Sequence, residues 1–386
     1  MKKILFVYPE VMLGGSTTSL LSLLRAFDYN LYEVDLLLYK NDGELLEFVP
    51  SNVNILAEAA LNEKFKYRML IPCYLISRIR TLHYKNKKNH DIAYSQIMSY
   101  AKASQLSRKI NKEYDVAISF LEFWSNAYVI NEVKAKKKIG WIHPDYIDAG
   151  FVPKVDRKAF RKLDSIVLVS EKCKNNFVKC FPDLSAKVIC ISNILSSEYV
   201  HNLADKEIQF RKSDIGLCII TVCRLNNISK GLDRGVRALS RLKDEGYKFN
   251  WYIIGDGPDR KELEQQIYIN SCTDSIHLLG KMNNPYPYIK QADIFFLPSR
   301  YEGKPMAITE AQMLNVPAIV TEYSSSREQV KAGVEGIITA NNDAAIYDGL
   351  KYVLNNPLLI SQFKCNLSQI DKSNLCEIEK VYNIIN

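Results

Sequence analysis

The sequence predicts an α/β protein with two Rossmann-like domains, each a parallel sheet covered by helices on both faces. Length is the first observation, because 386 residues are more than one ordinary hydrophobic core accommodates. Short, nearly continuous apolar runs alternate with helical stretches, which is typical of parallel strands buried on both faces. A polar break from Asn202 to Asp214 interrupts this alternation, and we place the two domains at residues 1–205 and 206–386.

In the first domain, the elements follow one another from the start of the chain. An apolar run at residues 4–8 leads into a glycine loop at 14–18, and leucines at helical spacing continue to Phe27. Further apolar runs predict strands at 34–39, 53–56, 116–120, 138–142, 165–169 and 188–191. Residues 62–114 are expected to be helical and basic.

The second domain repeats the same alternation of strand and helix. Its apolar runs predict strands at 217–222, 250–254, 276–279, 294–297 and 318–320. Helical spacing predicts helices at 232–245, 260–269 and 308–314. The last helix of the chain is expected to pack back on the first domain.

Charge and cysteine usage limit the functional classes. The formal net charge of +8 suits anionic ligands or an acidic membrane surface and does not by itself indicate nucleic acid. The nine cysteines contain no C-x-x-C pair, which favours reduced thiols over a metal site. No stretch approaches the ~20 apolar residues of a membrane span, and the apolar run at 4–8 is too short for a signal peptide. We therefore expect a cytoplasmic protein without a bound metal.

The strongest motif is the segment RYEGKPMAITE at residues 300–310, which follows the predicted strand at 294–297. Gly303 permits close approach of the backbone to a ligand, and the helix that follows offers N–H groups to phosphate or sugar oxygens. Glu302 and Glu310 suit the acceptance of hydrogen bonds from vicinal hydroxyls of a hexose and a ribose. Taken alone, both glutamates are equally well explained by a favourable helix dipole or by an exposed surface.

A second motif places two cations at the end of another predicted strand. Arg224 closely follows the strand at 217–222, and Lys230 stands just before the next helix. Ligands of open α/β sheets bind at this edge, where a guanidinium and an ammonium together hold a diphosphate. In isolation the two residues are also explained as solvated surface cations.

Together and in this order, the R-x₅-K pair and the E-x₇-E element resemble the retaining GT-B glycosyltransferases of the family-4 type, the glycosyl transferases group 1 of bacterial surface-polysaccharide assembly. The glycine turn at 255–257 and the Gly14-Gly15 loop add to the resemblance, which covers nearly the whole chain. The family's fold is GT-B, in which two Rossmann-like domains face each other across a cleft. The first domain is then expected to bind the acceptor and the second the nucleotide sugar.

The resemblance also implies a role for individual residues. The expected catalytic residues are His143, which follows a strand of the first domain, and Glu302. The expected donor-binding residues are Gly15, Arg224, Lys230, Gly303, Lys304, Pro305 and Glu310. The expected acceptor-binding residues are Ser16, Glu122, Trp124 and Asp145, although core packing is an alternative explanation for Trp124. The sequence departs from the family pattern at Cys223, where glycine is common, and at Lys304, where an apolar residue is frequent.

The function implied is retaining transfer of a hexose or N-acetylhexosamine from a nucleotide diphosphate sugar, with UDP-sugars favoured, to a saccharide acceptor. A lipid-linked glycan is the expected acceptor, and neither a metal nor another cofactor is expected. The basic groups Lys85/Lys87/Lys88 and 134–138 add an anionic membrane surface at the inner face of the cell membrane as an expected partner, with ordinary solvated faces as the alternative.

Three other classes are weighed against this function. A dinucleotide oxidoreductase is disfavoured because no G-x-G-x-x-G follows the first strand. A sugar-nucleotide epimerase of the same fold is disfavoured by the E-x₇-E spacing. A non-catalytic GT-B partner or stabiliser of another glycosyltransferase stays open, and donor turnover separates it from an enzyme.

Overall fold

The structure is a computed structural model that describes residues 1–61, 87–210, 212–213 and 215–386. It divides into two compact units. The first consists of residues 1–193 together with 376–386, and the second of residues 194–375. The predicted basic group Lys85/Lys87/Lys88 lies outside the residues whose side chains are described.

The first domain is built on a parallel sheet whose seven described strands have the order β3-β2-β1-β4-β5-β6-β7. The strands are β1 Lys2–Tyr8, β2 Tyr32–Leu38, β3 Asn54–Ile55, β4 Glu113–Ser119, β5 Lys134–Ile142, β6 Ser165–Leu168 and β7 Val188–Cys190. Helices from the same half of the chain are α1 Gly15–Ala26, α2 Lys87–Gln105, α3 Trp124–Glu132, α4 Pro153–Phe160 and α5 Glu171–Cys180. The order reverses between β1 and β4, and this reversal opens a crevice at their carboxyl ends.

The second domain contains a parallel sheet whose six described strands have the order β10-β9-β8-β11-β12-β13. The strands are β8 Leu217–Val222, β9 Phe249–Ile254, β10 Ile276–Gly280, β11 Ile294–Leu297, β12 Ala318–Thr321 and β13 Gly336–Thr339. The helices are α6 Ser197–Ala204, α7 Asn227–Lys230, α8 Leu232–Asp244, α9 Arg260–Ile269, α10 Tyr286–Gln291, α11 Met306–Met313, α12 Ser326–Gln329, α13 Asp343–Asn355 and α14 Leu358–Ser368. Here the order reverses between β8 and β11.

Continuous apolar runs in its strands explain why the second sheet is covered by helices on both faces. Along β8, Cys218 and Ile220 belong to one buried cluster and Ile219 belongs to the other. All four residues of β11 are buried, as are all four of β12. Successive side chains of a strand point to opposite faces, so a continuous apolar run needs a helical layer on each side.

The domain boundary lies earlier than the predicted position at 205/206. Helix α6 belongs to the second unit because Val200 and Ala204, with Leu195 just before them, are part of its buried core. The polar residues after Ala204 form a connection within the second domain. A break in the apolar pattern therefore marked the end of this helix and not the domain boundary.

The last helix, α15 Glu377–Ile385, belongs to the first unit. The Tyr382 ring stacks on Tyr32 with centroids 5.3 Å apart and packs edge-on against Phe27 at 5.8 Å. The Tyr382 hydroxyl accepts a hydrogen bond from the Asp28 backbone N–H at 2.9 Å. Among the described helices, none is both long and apolar enough to cross a bilayer.

Candidate functional site

The candidate site of the second domain lies where its strand order reverses. Strands β8 and β11 are neighbours, with Ile219 paired to Ile294 and Ile220 to Phe295. The predicted motifs lie in the segments that follow these two strands, at residues 223–231 and 298–305, and the second motif continues into α11 as far as Glu310. Because parallel strands end at the same edge of a sheet, the fold brings the two motifs together.

The glycine turn after β9, at residues 255–257, packs against the backbone of the loop that carries Arg224. A Cβ atom on Gly255 would lie 1.9 Å from the Cys223 carbonyl oxygen, and one on Gly257 would lie 2.3 Å from that of Leu225. The backbone N–H of Leu225 donates to Asp256 O at 3.0 Å. Only glycine permits this close approach of the two backbones. Arg224 is exposed at the edge of the sheet, and its side chain makes no ion pair with the described residues.

Lys230 ends the short helix α7 and meets the first glutamate of the other motif. Its Nζ lies 2.6 Å from Glu302 Oε1, which also accepts a hydrogen bond from the Ser299 hydroxyl at 2.6 Å. The Lys230 and Glu302 side chains are 20% and 10% exposed. Burial lowers the pKa of Lys230, but the adjacent Glu302 carboxylate, together with Cys223 and Tyr301, raises it by more, and the net pKa is raised. The pair is therefore a charged contact in a largely desolvated position.

Glu310 lies on α11 and is buried within the second domain. Its Oε1 accepts a hydrogen bond from the Tyr286 hydroxyl at 3.0 Å. Burial raises the pKa of the Glu310 carboxyl to about 7. This carboxyl therefore titrates near neutral pH, and a ligand hydroxyl that donates to it favours the ionised form.

Side chains from the segment after β12 fix the loop from Glu302 to Pro305. The Ser324 hydroxyl donates to Glu302 O at 3.0 Å, and the Ser325 hydroxyl donates to the carbonyl of Gly303. The Gln329 amide donates to Pro305 O at 2.7 Å. Lys304 lies in the same loop and is half-buried. The loop is thus held by three side chains rather than by regular secondary structure.

The first domain places His143 immediately after β5. The His143 Nε2 atom lies 3.1 Å from Phe120 O, and its backbone N–H donates to Glu122 Oε2 at 3.3 Å. Burial lowers the pKa of His143 to about 4, so the ring is neutral at physiological pH. The contact with a carbonyl requires the proton on Nε2, which leaves Nδ1 as an acceptor. Burial also raises the pKa of Glu122 to about 7.

Glu122 borders a small cavity that none of the predicted motifs indicates. Tyr146, Phe151 and Asp156 contribute to its lining. Asp156 is buried and accepts hydrogen bonds from the hydroxyls of Tyr146 at 2.8 Å and Tyr100 at 3.0 Å. Burial raises the pKa of Asp156 to about 6. These residues come from α2, α4 and the loop between β5 and α4, so no local pattern in the sequence brings them together.

Two predicted acceptor residues are buried structural residues. Trp124 is 4% exposed, its Nε1–H donates to Ser107 Oγ at 2.9 Å, and its ring packs edge-on against Tyr39. Asp145 is fully buried and accepts from the Asn176 amide at 2.8 Å as well as from two backbone N–H groups of the following turn. Neither side chain has surface left for an acceptor, and we therefore withdraw both assignments.

The other predicted residues of the first domain are accessible to different degrees. Gly15 is exposed at the start of α1, and the half-buried Ser16 hydroxyl accepts from the Tyr8 hydroxyl at 2.8 Å. In the lysine group at 134–138, Lys136 pairs with Asp115 at 2.7 Å. Lys134 lies 3.7 Å from Glu113. These carboxylates reduce the positive charge that the group presents.

The ion pair between Arg300 and Asp233 was not predicted; it joins the loop at 298–305 to the first turn of α8, just after the loop at 223–231. Both residues are adjacent to motif residues, so the only available signal was their proximity to Glu302 and Lys230 in the chain. Tyr286 was not predicted either, and no signal for it exists. Among the residues that the structure describes, no cluster of His, Cys, Asp and Glu side chains has the composition to hold a metal ion.

The chain has two α/β domains with parallel sheets, and in the second domain the two motifs meet where the strand order reverses. This is the architecture of a GT-B fold, and the predicted fold class is confirmed. Residues 205–369 match the family model of the glycosyl transferases group 1. This match lies within the second domain and confirms the predicted resemblance to that family.

Solved structures support the same fold over the full chain. Anabaena HepE, crystallised with UDP, superposes with a TM-score of 0.67 at 14% identity and covers 99% of this chain and 98% of its own. TarM of S. aureus, crystallised with UDP and α-GlcNAc-glycerol, reaches a TM-score of 0.70 at 14% identity with full coverage of both chains. At this identity the likeness concerns the fold alone.

Curated relatives match over shorter segments. An uncharacterised glycosyltransferase of Methanocaldococcus jannaschii is 23% identical over 174 residues, which are 44% of this chain and 43% of the relative. The amylovoran biosynthesis glycosyltransferase AmsK of Erwinia amylovora is 32% identical over 136 residues, 33% of each chain. The 2-deoxystreptamine N-acetyl-D-glucosaminyltransferase of Niallia circulans is 25% identical over 211 residues, 53% of this chain and 54% of the relative. The matches thus span about half or less of these relatives.

Proposed function

We propose that this chain is a retaining glycosyltransferase that moves a hexose or an N-acetylhexosamine from a UDP-sugar to a saccharide acceptor. The observation that carries the proposal is the 2.6 Å contact between Lys230 Nζ and Glu302 Oε1. It joins the cation motif and the glutamate motif in one site, at the edge of the sheet where open α/β folds bind their ligands.

The leaving diphosphate sets the main chemical problem of the reaction. As the bond from the anomeric carbon to the β-phosphate oxygen breaks, negative charge grows on the diphosphate and positive charge grows on the sugar. Arg224, exposed and without an ion pair among the described residues, and Lys230 are the cations proposed to hold that charge. The loss of one such group typically reduces the rate roughly 100-fold to 1000-fold.

The two glutamates are proposed to bind hydroxyl groups of the donor. Glu302 accepts from the hydroxyls of the transferred sugar, and its pairing with Lys230 places this contact beside the diphosphate. Glu310 accepts from the ribose hydroxyls, with the Tyr286 hydroxyl holding the carboxyl in place. Gly303 and Pro305 are proposed to bring the loop backbone close to the donor, with Lys304 contacting the phosphates or solvent.

Retention follows from the family resemblance and needs no protein nucleophile. The acceptor hydroxyl enters on the face that the diphosphate leaves, and its proton passes to the departing phosphate oxygen. His143 is proposed to contact the reacting sugar as a neutral ring, in keeping with its lowered pKa. Glu122 and Ser16 are proposed to contact the acceptor. The cations supply the charge that a metal supplies in other transferases, so we propose metal-independent transfer.

The comparisons support the choice of donor and the class of acceptor. Two proteins of the same fold were crystallised with UDP, and one relative is named for amylovoran biosynthesis. A lipid-linked glycan at the inner face of the cell membrane is the acceptor that we propose. Sedimentation of the protein with anionic phosphatidylglycerol vesicles, but not with neutral ones, tests the membrane contact.

A donor screen tests the proposed reaction. The purified chain is incubated with UDP-, GDP- and ADP-sugars, with and without EDTA, and release of the nucleoside diphosphate is measured. We expect that one UDP-sugar is turned over in the presence of EDTA. We also expect that the product has the same anomeric configuration as the donor. A folded chain that releases nucleotide from no donor would instead support a non-catalytic partner of another glycosyltransferase.

A further inference from the structure

The ion pair between Arg300 and Asp233 connects the loop at 298–305 to the first turn of α8, which directly follows the loop at 223–231. Arg300 Nη1 and Nη2 each lie 2.7 Å from a separate carboxylate oxygen of Asp233. The Asp233 side chain is 12% exposed, and that of Arg300 is 36% exposed. Fork-to-fork pairing of a guanidinium with a carboxylate fixes relative orientation as well as distance.

Further contacts of Arg300 reach the loop at 223–231. Its Nη1 also donates to Asn227 O at 2.5 Å, and its backbone N–H donates to Ser229 O at 2.7 Å. A Cβ atom on Gly231 would lie 2.3 Å from Pro298 O, so the two loops touch at their bases as well. Arg300 therefore contacts the other loop through both its side chain and its backbone.

The Lys230–Glu302 contact has to be shared with the donor when one is bound. In the proposed reaction, Lys230 serves the diphosphate and Glu302 serves the sugar, so each is shared with or released to the ligand. The contacts of Arg300 with Asp233 and Asn227 involve no residue that is assigned to the donor. They remain available to hold the loops when the Lys230–Glu302 pair is opened.

We propose that Arg300 and Asp233 are positioning residues that hold the two donor loops in register, independently of the Lys230–Glu302 pair. Their effect on turnover rests on the proposed function, whereas their effect on loop order does not. A displacement of about 1 Å in catalytic geometry reduces turnover as much as roughly 100-fold, so the register of these loops matters for the chemistry.

The neighbouring network offers a matched control. Arg237 contacts Asp233 at 3.1 Å and pairs with Asp343 at 2.7 Å on the outer side of α8. Asp343→Asn removes a salt bridge from the same network without touching either loop. Arg300→Lys keeps the charge but loses the fork, and it serves as the conservative variant.

The experiment is amide hydrogen exchange by mass spectrometry on the full chain, in parallel with donor turnover. In Arg300→Ala and Asp233→Asn, we expect about tenfold faster exchange in peptides covering 223–231 and 298–305, with β9 unchanged as evidence of an intact fold. We expect an intermediate effect in Arg300→Lys and none in Asp343→Asn. The kcat should fall about tenfold in the first two variants, while the KM for the acceptor stays within about twofold.

The possible outcomes separate the two proposals. Wild-type exchange rates in both loops of Asp233→Asn and Arg300→Lys would overturn the positioning role, as would equal acceleration in Asp343→Asn. A wild-type chain that turns over no donor would defeat the proposed reaction. In that case the exchange rates still decide whether Arg300 and Asp233 order the loops.

Discussion

Lys230 and Glu302 are 72 positions apart in the chain, and the Lys230 ammonium lies 2.6 Å from a Glu302 carboxylate oxygen. Strands β8 and β11 place them together because these neighbouring strands end at the same edge of the sheet. Both side chains are largely buried. This contact has separate consequences for stability and for binding.

Removing one member of this pair should destabilise the second domain more than removing both. Lys230→Met leaves the Glu302 carboxylate buried without its counterion, at a cost of about 3 kcal/mol in the free energy of unfolding. The double variant Lys230→Met/Glu302→Gln should recover most of that loss, although both variants lose donor binding. Urea unfolding of the two single variants and the double variant measures the coupling. Losses that simply add would contradict a direct pair.

Glu310 should make the stability of the second domain depend on pH. Burial raises its pKa from 4.5 to about 7, so in that window the folded chain holds a proton that the unfolded chain has lost. The free energy of unfolding contributed by this group therefore falls as pH rises from about 4.5 to 7. Glu310→Gln is neutral at every pH and should remove this part of the decline.

Urea unfolding at about pH 5 and about pH 8 measures the effect of Glu310. Glu122→Gln is the matched control, because Glu122 has a similar pKa but lies in the first domain. A pH dependence of the second domain that is identical in wild type and Glu310→Gln would show that Glu310 titrates normally.

His143 should remain neutral across the range in which an ordinary histidine titrates. Burial lowers its pKa to about 4, and its Nε2–H is engaged with Phe120 O. The NMR signals of the His143 ring should therefore stay constant between about pH 5.5 and 8. His143→Ala identifies these signals among those of the five histidines. A titration with a midpoint near 6.5 would exclude the neutral contact that we propose.

Gly231 and Gly333 allow backbone strain to be separated from a clash between loops. Both have left-handed backbones, with φ of +63° and +76°, but only Gly231 has a close neighbour, Pro298 O, at the position of a Cβ. Gly333→Ala should cost about 1 kcal/mol from backbone strain, and Gly231→Ala about 3 kcal/mol. Thermal unfolding compares the two variants, and equal losses would show that the loops do not touch at Gly231.

Most strands were predictable because a parallel strand that is buried on both faces has a nearly continuous apolar sequence. Strand β13 was missed because its sequence, GIIT at 336–339, is short and lies at the edge of the sheet, where two of its four residues are only half-buried. The two motifs were recognisable from spacing, since Arg224 and Lys230 follow one strand, and Glu302 and Glu310 follow another, in the loop and in α11. Their roles in donor binding stay a prediction.

Contacts between distant positions were not predictable. Trp124 and Asp145 follow strands as functional residues do, but only the folded chain shows that their polar atoms are occupied by Ser107 and Asn176. The Arg300–Asp233 pair joins residues 67 positions apart, and no local periodicity encodes it. Burial and long-range pairing depend on how the elements pack, which a single sequence does not specify.

The most direct test of the central claim compares the binding of UDP and of uridine by calorimetry. Arg224 is assigned to the diphosphate and Glu310 to the ribose, so the two variants should differ in which ligand they lose. Arg241→Ala is the control, because Arg241 is an exposed cation of the same domain that pairs with Glu245.

Wild type and Arg241→Ala should bind UDP more tightly than uridine. Arg224→Ala should weaken UDP binding roughly 10-fold or more and leave uridine binding unchanged, because a charge-assisted contact is worth about 1.5–3 kcal/mol. Glu310→Gln should weaken the binding of both ligands. UDP binding that is equally tight in wild type and Arg224→Ala, or absent in folded wild type, would contradict the assignment of this site to a nucleotide sugar.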